Sequence, residues 1–98
     1  MEINLTKEEK ILNIALTGRL DTQTSPELDA KLKENMDGIE KIVFDFANLE
    51  YISSAGLRLL LVVEKALKNK ENVILKNVNS VVKEILSISG FDKIITIE

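Results

Sequence analysis

Apolar and polar residues alternate in the first part of the chain. Segments 3–5 and 12–16 place an apolar residue at every second position, and the polar cluster 6–10 separates them. A period of two is typical of strands that bury one face, and a polar cluster between two such segments indicates a turn. The pattern therefore predicts an antiparallel hairpin whose second strand ends at Gly18 and the residues that follow it.

A helical period comes next. Leu28, Leu32 and Met36 recur four residues apart and form a narrow apolar stripe. Ser25 offers a capping hydroxyl, and Pro26 suits the first helical position. We therefore expect a first helix that begins near Ser25.

Two further elements follow before residue 70. Segment 42–44 reads Ile-Val-Phe, a run too short for a helix and rich in residues that favour strands. Such a run is typical of a central strand covered on both faces. Segment 48–52 is expected to form a short connection, and residues 55–68 carry apolar side chains mostly at helical spacing. They predict a second helix.

The last third repeats the alternation of strand and helix. Segment 73–75 predicts a short strand, Ser80 is expected to cap a third helix, and segment 94–97 predicts an edge strand or an extended tail. The order is β-β-α-β-α-β-α-β. It predicts an α/β fold in one domain over residues 1–98, with a mixed sheet of four to five strands packed with about three to four helices.

Composition removes several classes of function. The chain has no cysteine and no histidine, so the commonest metal ligands and the side chain that titrates near neutral pH are missing. We expect no enzymatic activity, no metal and no cofactor. The net charge of −3, with 13 basic residues interleaved among 16 acidic ones, argues against nucleic-acid binding.

The distribution of apolar residues also bears on location. No apolar stretch approaches the roughly 20 residues that cross a bilayer, and the first residues lack the basic and apolar regions of a signal peptide. The expectation is a cytoplasmic protein without direct membrane insertion.

Two adjacent serines are the most informative residues. The run 45–57 reads Asp-Phe-Ala-Asn-Leu-Glu-Tyr-Ile-Ser-Ser-Ala-Gly-Leu, which brings Ser53 and Ser54 to the start of the second predicted helix. A hydroxyl there can cap unpaired backbone N–H groups, and a phosphate there is stabilised by the positive end of the helix. A structural cap and a regulatory phosphorylation site are both consistent with this position, and one does not exclude the other.

Other polar residues allow different interpretations. Asp21 and Asp45 fall near predicted strand ends, which resembles one part of a phospho-acceptor receiver site, although the acidic pair Glu8-Glu9 is expected in a turn instead. Gly56 is best explained by close packing of the helix start. Arg58 opposes the helix dipole but would lie near a phosphate on Ser54, and it is equally consistent with plain surface.

Several landmarks along the chain occur together in a known family. They are, in chain order, Gly18-Arg19-Leu20-Asp21 at a strand end, a helix opening at Ser25-Pro26-Glu27-Leu28, a strand with Asp45, the turn Tyr51-Ile52-Ser53-Ser54-Ala55-Gly56-Leu57, and Phe91-Asp92-Lys93-Ile94. Segment 42–61 resembles the signature of STAS domains, the family of bacterial anti-sigma factor antagonists. The resemblance extends over nearly the whole chain.

The resemblance implies a switch protein. In its unphosphorylated form it would bind a cognate anti-sigma factor that is also a serine/threonine kinase and so release the sigma factor. Phosphorylation would end binding, and a phosphatase would restore it. Ala55 stands directly before Gly56 and cannot be phosphorylated, so Ser54, which matches the Asp-Ser-Ala-Gly variants of the family, is the expected acceptor, with Ser53 as the alternative.

The resemblance also implies a surface for the partner. The residues expected to contact it are Asp21, Thr22, Ser53, Ser54, Ala55, Gly56, Leu57 and Arg58. Two other functions remain open: a STAS-like docking subunit of a transporter or signalling scaffold without kinase control, and a small enzyme or receiver that uses Asp21 and Asp45. The breadth of the apolar face of the second helix is consistent with either a monomer or a weak homodimer.

Overall fold

The computed structural model describes the whole chain, Met1–Glu98, as five strands in one sheet with three α-helices and two short 3₁₀ turns. The elements are β1 (Glu2–Glu8), β2 (Ile11–Leu20), α1 (Ser25–Asn35), β3 (Lys41–Ile52), α2 (Ser54–Leu67), β4 (Val73–Lys76), α3 (Ser80–Ile88) and β5 (Thr96–Ile97). The predicted α/β fold, with its mixed sheet, is confirmed. None of the helices combines the length and the apolar character needed to cross a membrane.

The order of strands in the sheet follows the order of the chain. β1 pairs antiparallel with β2, and β2, β3, β4 and β5 are each parallel to the next. Parallel neighbours need crossover connections, and the helices supply them. Because β2, β3 and β4 point the same way, their carboxyl ends lie at one edge of the sheet. All three helices begin at this edge, which we call the helix-start edge.

The core lies on one face of the sheet. Along β3 the side chains of Ile42, Phe44 and Phe46 are fully buried, and the rings of Phe44 and Phe46 lie 5.8 Å apart between centroids. The intervening Val43 and Asp45 are only half-buried, on the face that no helix covers. The prediction that this strand is covered on both faces is therefore wrong: its apolar run is continuous, but its burial alternates.

Strand β3 continues past its predicted end, whereas β2 ends within the segment that the sequence predicts. β2 runs through Gly18, whose φ of +108° accompanies a register shift against β3, and ends at Leu20. β3 extends to Ile52, so segment 48–52 is part of a strand and not a connection. The expectation failed because the irregular pairing breaks the simple alternation of polar and apolar positions.

The predicted caps of the first and third helices are also wrong. Thr24, and not Ser25, precedes α1, and its side chain makes no cap hydrogen bond. Asn79, and not Ser80, caps α3: its Oδ1 accepts from the Val82 N–H at 2.8 Å, and its Nδ2 donates to the Leu49 carbonyl at 2.8 Å. The second contact ties the start of α3 to β3.

Candidate functional site

The start of α2 is fixed to the neighbouring strand end. The Ser53 N–H donates to the Leu20 carbonyl at 2.9 Å, and the Ser53 carbonyl accepts from the Leu57 N–H at 3.0 Å. The Ser53 hydroxyl accepts from the Ala55 N–H at 3.2 Å, which makes Ser53 the N-cap of the helix. The turn from β3 into α2 is therefore held at both its strand and its helix side.

The two serines occupy different environments. Ser53 is half-buried and its hydroxyl serves the cap, whereas Ser54 is the first residue of α2 and is exposed. The structural interpretation of the serine pair thus applies to Ser53. Ser54 is left with a hydroxyl that solvent, and any protein docked at this edge, can reach.

Close packing explains the glycine in the first turn. A Cβ built on Gly56 would lie 2.7 Å from Ile52 Cγ1 and 2.8 Å from Leu20 Cγ, both shorter than normal carbon contacts. Ala55 and Gly56 are buried, Leu57 is half-buried, and Arg58 is exposed. Of the residues expected to contact a partner, the exposed ones on α2 are thus Ser54 and Arg58.

Asp21 lies beside this turn because it follows Leu20, the residue whose carbonyl holds Ser53. Its carboxylate accepts from the Thr24 N–H at 3.1 Å and from the Gln23 N–H at 3.0 Å. The bond from the Thr24 N–H is the main reason that the pKa of Asp21 is lowered. Thr22, the next residue, is exposed. The structure therefore brings Asp21 and Thr22 to the same edge as the serines.

Asp45 does not join them. It pairs in register with Ala15 and Lys76, and β3 continues from it to Ile52, so it lies roughly 20 Å from the end of its strand. The prediction that Asp45 lies near a strand end is wrong, because that strand end is Ile52. Asp21 and Asp45 therefore do not converge, as the alternative of a receiver or small enzyme that uses these two residues would require.

The carboxylate of Asp45 has a local role instead. It accepts from Asn77 Nδ2 at 3.0 Å and from the Ala47 N–H at 3.0 Å. The hydrogen bond from Asn77 is the largest cause of its lowered pKa. Asp45 thus links β3 to the residue that follows β4.

The helix-start edge contains a contact that the sequence did not predict. Arg19 and Tyr51 pair across β2 and β3, and the Arg19 Cζ lies 4.6 Å from the centroid of the Tyr51 ring. Arg19 Nε also lies 3.9 Å from Asp21 Oδ2. Only the register of the two strands reveals this pair, and that register could not be predicted while β3 was expected to end earlier.

A groove separates the starts of α1 and α2. Its volume is about 250 Å³, and it is lined by Ser25, Pro26, Asp29, Ala55, Arg58 and Leu59. This groove is not predictable from the sequence, because it depends on how the two helices lie beside each other.

The chain is similar to a known protein family and to named proteins of two bacteria. The family model described as STAS domain matches residues 2–98. BtrV of Bordetella bronchiseptica, which carries the provisional name anti-sigma factor antagonist, is 34% identical over 93 residues, or 93% of this chain and 80% of BtrV. The anti-sigma-B factor antagonist of Staphylococcus aureus is 29% identical over 92 residues, or 92% of this chain and 85% of that protein.

Solved structures agree on the fold. The anti-sigma factor antagonist SpoIIAA in its unphosphorylated form superposes with a TM-score of 0.84 at 22% identity, covering 99% of this chain and 88% of SpoIIAA. Bacillus SpoIIAA in its phosphorylated form gives a TM-score of 0.75 at 21% identity, covering 99% and 91%. The family match over almost the full length, together with the shared fold, leads to one conclusion: the chain belongs to the STAS domain family.

Proposed function

We propose that this chain is an anti-sigma factor antagonist controlled by phosphorylation of Ser54. The unphosphorylated form binds a cognate anti-sigma factor that is also a serine kinase, and this binding releases the sigma factor in the cytoplasm. Phosphorylation ends the interaction, and a phosphatase restores it. The proposal is carried by one observation: a chain related over 92–93% of its length to proteins named anti-sigma factor antagonists presents an exposed serine at the start of α2.

The environment of each candidate supports Ser54 as the acceptor. Ser53 is half-buried and its hydroxyl is engaged with the Ala55 N–H, so a phosphate there would displace the cap. Position 55 is a buried alanine without a hydroxyl. Ser54 alone of the three combines a hydroxyl with exposure, and a kinase must reach the hydroxyl it modifies.

The chemistry of the step explains why binding would stop. The Ser54 Oγ bonds to the γ-phosphorus of ATP, ADP leaves, and the hydroxyl proton is released. The product carries about −1.5 to −2 charges in place of a neutral group. Asp21, Thr22 and the segment 53–58 form the proposed partner surface around it. A dianion at the centre of that surface would have to be desolvated for the complex to form.

Substitution at Ser54 tests this proposal. We expect Ser54→Asp to weaken binding to a purified anti-sigma factor kinase from the same genome by about thirtyfold or more, or roughly 2 kcal/mol. Ser54→Ala is expected to bind as tightly as the wild type and to take up no phosphate from ATP. Isothermal titration calorimetry measures the affinity, and mass spectrometry locates the phosphate.

Ser80 offers a matched control. It is the first residue of α3, exposed, and preceded by the cap Asn79, as Ser54 is preceded by Ser53. Ser80→Asp adds the same charge at an equivalent helix position and is expected to leave affinity within about twofold of wild type. Equal, tight binding by the Ser54→Asp and Ser54→Ala variants would refute control by phosphorylation.

A further inference from the structure

We propose that phosphoserine at position 54 pairs with Arg58, so that the chain carries its own counter-ion for the phosphate. The inference rests on the proposed phosphorylation of Ser54. It identifies Arg58 as the residue of the same molecule that forms an ion pair with the phosphate.

The spacing of the two residues is the first support. Ser54 and Arg58 lie four positions apart on α2, and residues at this separation are neighbours on one face of a helix. Helical side chains lean towards the N-terminus of their helix. An arginine at position 58 can therefore reach back over the turn that begins with Ser54, and both residues are exposed.

The guanidinium is also without a carboxylate partner. The ion pairs of the chain join Lys10 with Glu40, Arg19 with Asp21, and Lys33 with Asp29. Asp29 is the acidic residue that lines the groove beside Arg58, and its Oδ2 lies 3.1 Å from Lys33 Nζ. The first turn of α2 contains no acidic residue. Arg58 therefore forms no ion pair in the unmodified chain.

The position of Arg58 is unfavourable for the helix alone. A cation near the N-terminus opposes the helix dipole, whereas an anion there is stabilised. A phosphate on Ser54 reverses the sign of the local charge and offers three acceptor oxygens to the planar, bidentate donors of arginine. The pairing thus accounts for a cation that the stability of α2 does not require.

The second pKa of the phosphate tests the pairing directly, because a neighbouring cation lowers it. Phosphoserine is incorporated at position 54 by genetic-code expansion, and its second pKa, near 6 in an unpaired residue, is followed by ³¹P NMR in the full chain. We expect Arg58→Gln to raise that pKa by about 0.3–0.5. The difference is expected to shrink in about 1 M salt, because Arg58 is exposed. In the Arg58→Lys variant, which retains the charge, the second pKa is expected to lie between the values for the wild type and for Arg58→Gln.

Phosphoserine at position 80 is the control. It begins α3 and is followed four residues later by Glu84, so Arg58→Gln should leave its pKa unchanged. The same pKa for phosphoserine 54 with arginine and with glutamine at position 58 overturns the inference, as does an equal shift in the lysine and glutamine variants. No kinase enters this measurement, so it can fail while Ser54 is still the acceptor, and the reverse also holds.

Discussion

Gly56 fixes how closely α2 approaches the sheet. Its Cα faces Leu20 and Ile52, the last residues of β2 and β3, and a Cβ would come within 3.0 Å of both side chains. The distance between the helix start and the two strand ends therefore depends on the absence of one methyl group. The exposed Ser54 lies in the turn that this contact positions.

Gly56→Ala tests that contact. We expect the free energy of unfolding to fall by up to about 2 kcal/mol, because overpacking costs about 1–3 kcal/mol and offsets the roughly 1 kcal/mol by which alanine favours a helix. Urea denaturation measures the change. Adding Leu20→Ala removes two of the clashing atoms, so the double variant should be more stable than the sum of the single effects predicts. A rise in stability of Gly56→Ala by the roughly 1 kcal/mol expected from helix propensity alone would contradict the packing argument.

At the level of elements, the caps of α2 and α3 differ in what they connect. Ser53 caps α2 with one hydrogen bond to the Ala55 N–H. Asn79 caps α3 and also donates to the Leu49 carbonyl in β3, so it joins a helix to a strand. Loss of the Asn79 side chain removes both contacts at once.

Asn79→Ala is expected to lower the free energy of unfolding by about 1–2 kcal/mol, the sum of a lost cap and a lost hydrogen bond to the β3 backbone. Ser80→Ala serves as the control, because its side chain does not cap the helix, and should change stability by less than about 0.5 kcal/mol. Chemical denaturation compares the two. A larger effect of Ser80→Ala would restore the original prediction that Ser80 is the cap.

The sequence predicted the type and order of the elements better than their ends. Strong alternation in segment 12–16 and the helical period of residues 55–68 were sufficient to identify β2 and α2. The end of β3 was missed because segment 48–52 mixes exposed Asn48 and Glu50 with buried Leu49 and Ile52, which only a bulged pairing with β2 accommodates. Local propensity contains no information on such pairing.

The candidate site was predicted to a similar extent. Residues 53–58 lie together because they are adjacent in the sequence. Asp21 and Thr22, which were also expected at the partner surface, lie beside them because the Ser53 N–H donates to the Leu20 carbonyl. Asp45 was placed wrongly, because its distance from the strand end depends on where β3 stops. The resemblance predicted Ser54 as the acceptor, but the sequence did not predict that Ser53 caps α2 and is the more buried of the two serines.

For the molecule as a whole, the two faces of the sheet differ. The face under the helices holds the buried core, whereas the opposite face is open and partly polar, with Asp45 and Lys76 paired in register on neighbouring strands. Asp45 also accepts from Asn77, which lies in a left-handed conformation directly after β4. This contact joins segments that are 32 residues apart in the chain.

The free energy of unfolding should therefore depend on pH through the ionisation of Asp45. The hydrogen bond from Asn77 lowers its pKa in the folded state, so its contribution is present above the unfolded pKa of about 3.9 and is lost as the pH falls through the folded value. We expect Asn77→Ala and Asp45→Asn to reduce the loss of stability between pH 5 and about pH 3. Urea denaturation at each pH measures this, with Asp92→Asn as the control for removing one exposed negative charge. An unchanged pH dependence in both variants would exclude the contact as a source of acid sensitivity.

The contact between Arg19 and Tyr51 has a spectroscopic consequence. Tyr51 is the only tyrosine, and the chain contains no tryptophan. The tyrosine fluorescence and the tyrosine bands of the near-ultraviolet circular dichroism therefore come from a single ring, since the other aromatic residues are phenylalanines. This ring lies under a guanidinium near the end of β3, one residue before the strand end that leads into α2. The molecule thus has a built-in optical reporter at the helix-start edge, and events at that edge can be followed without attaching a dye.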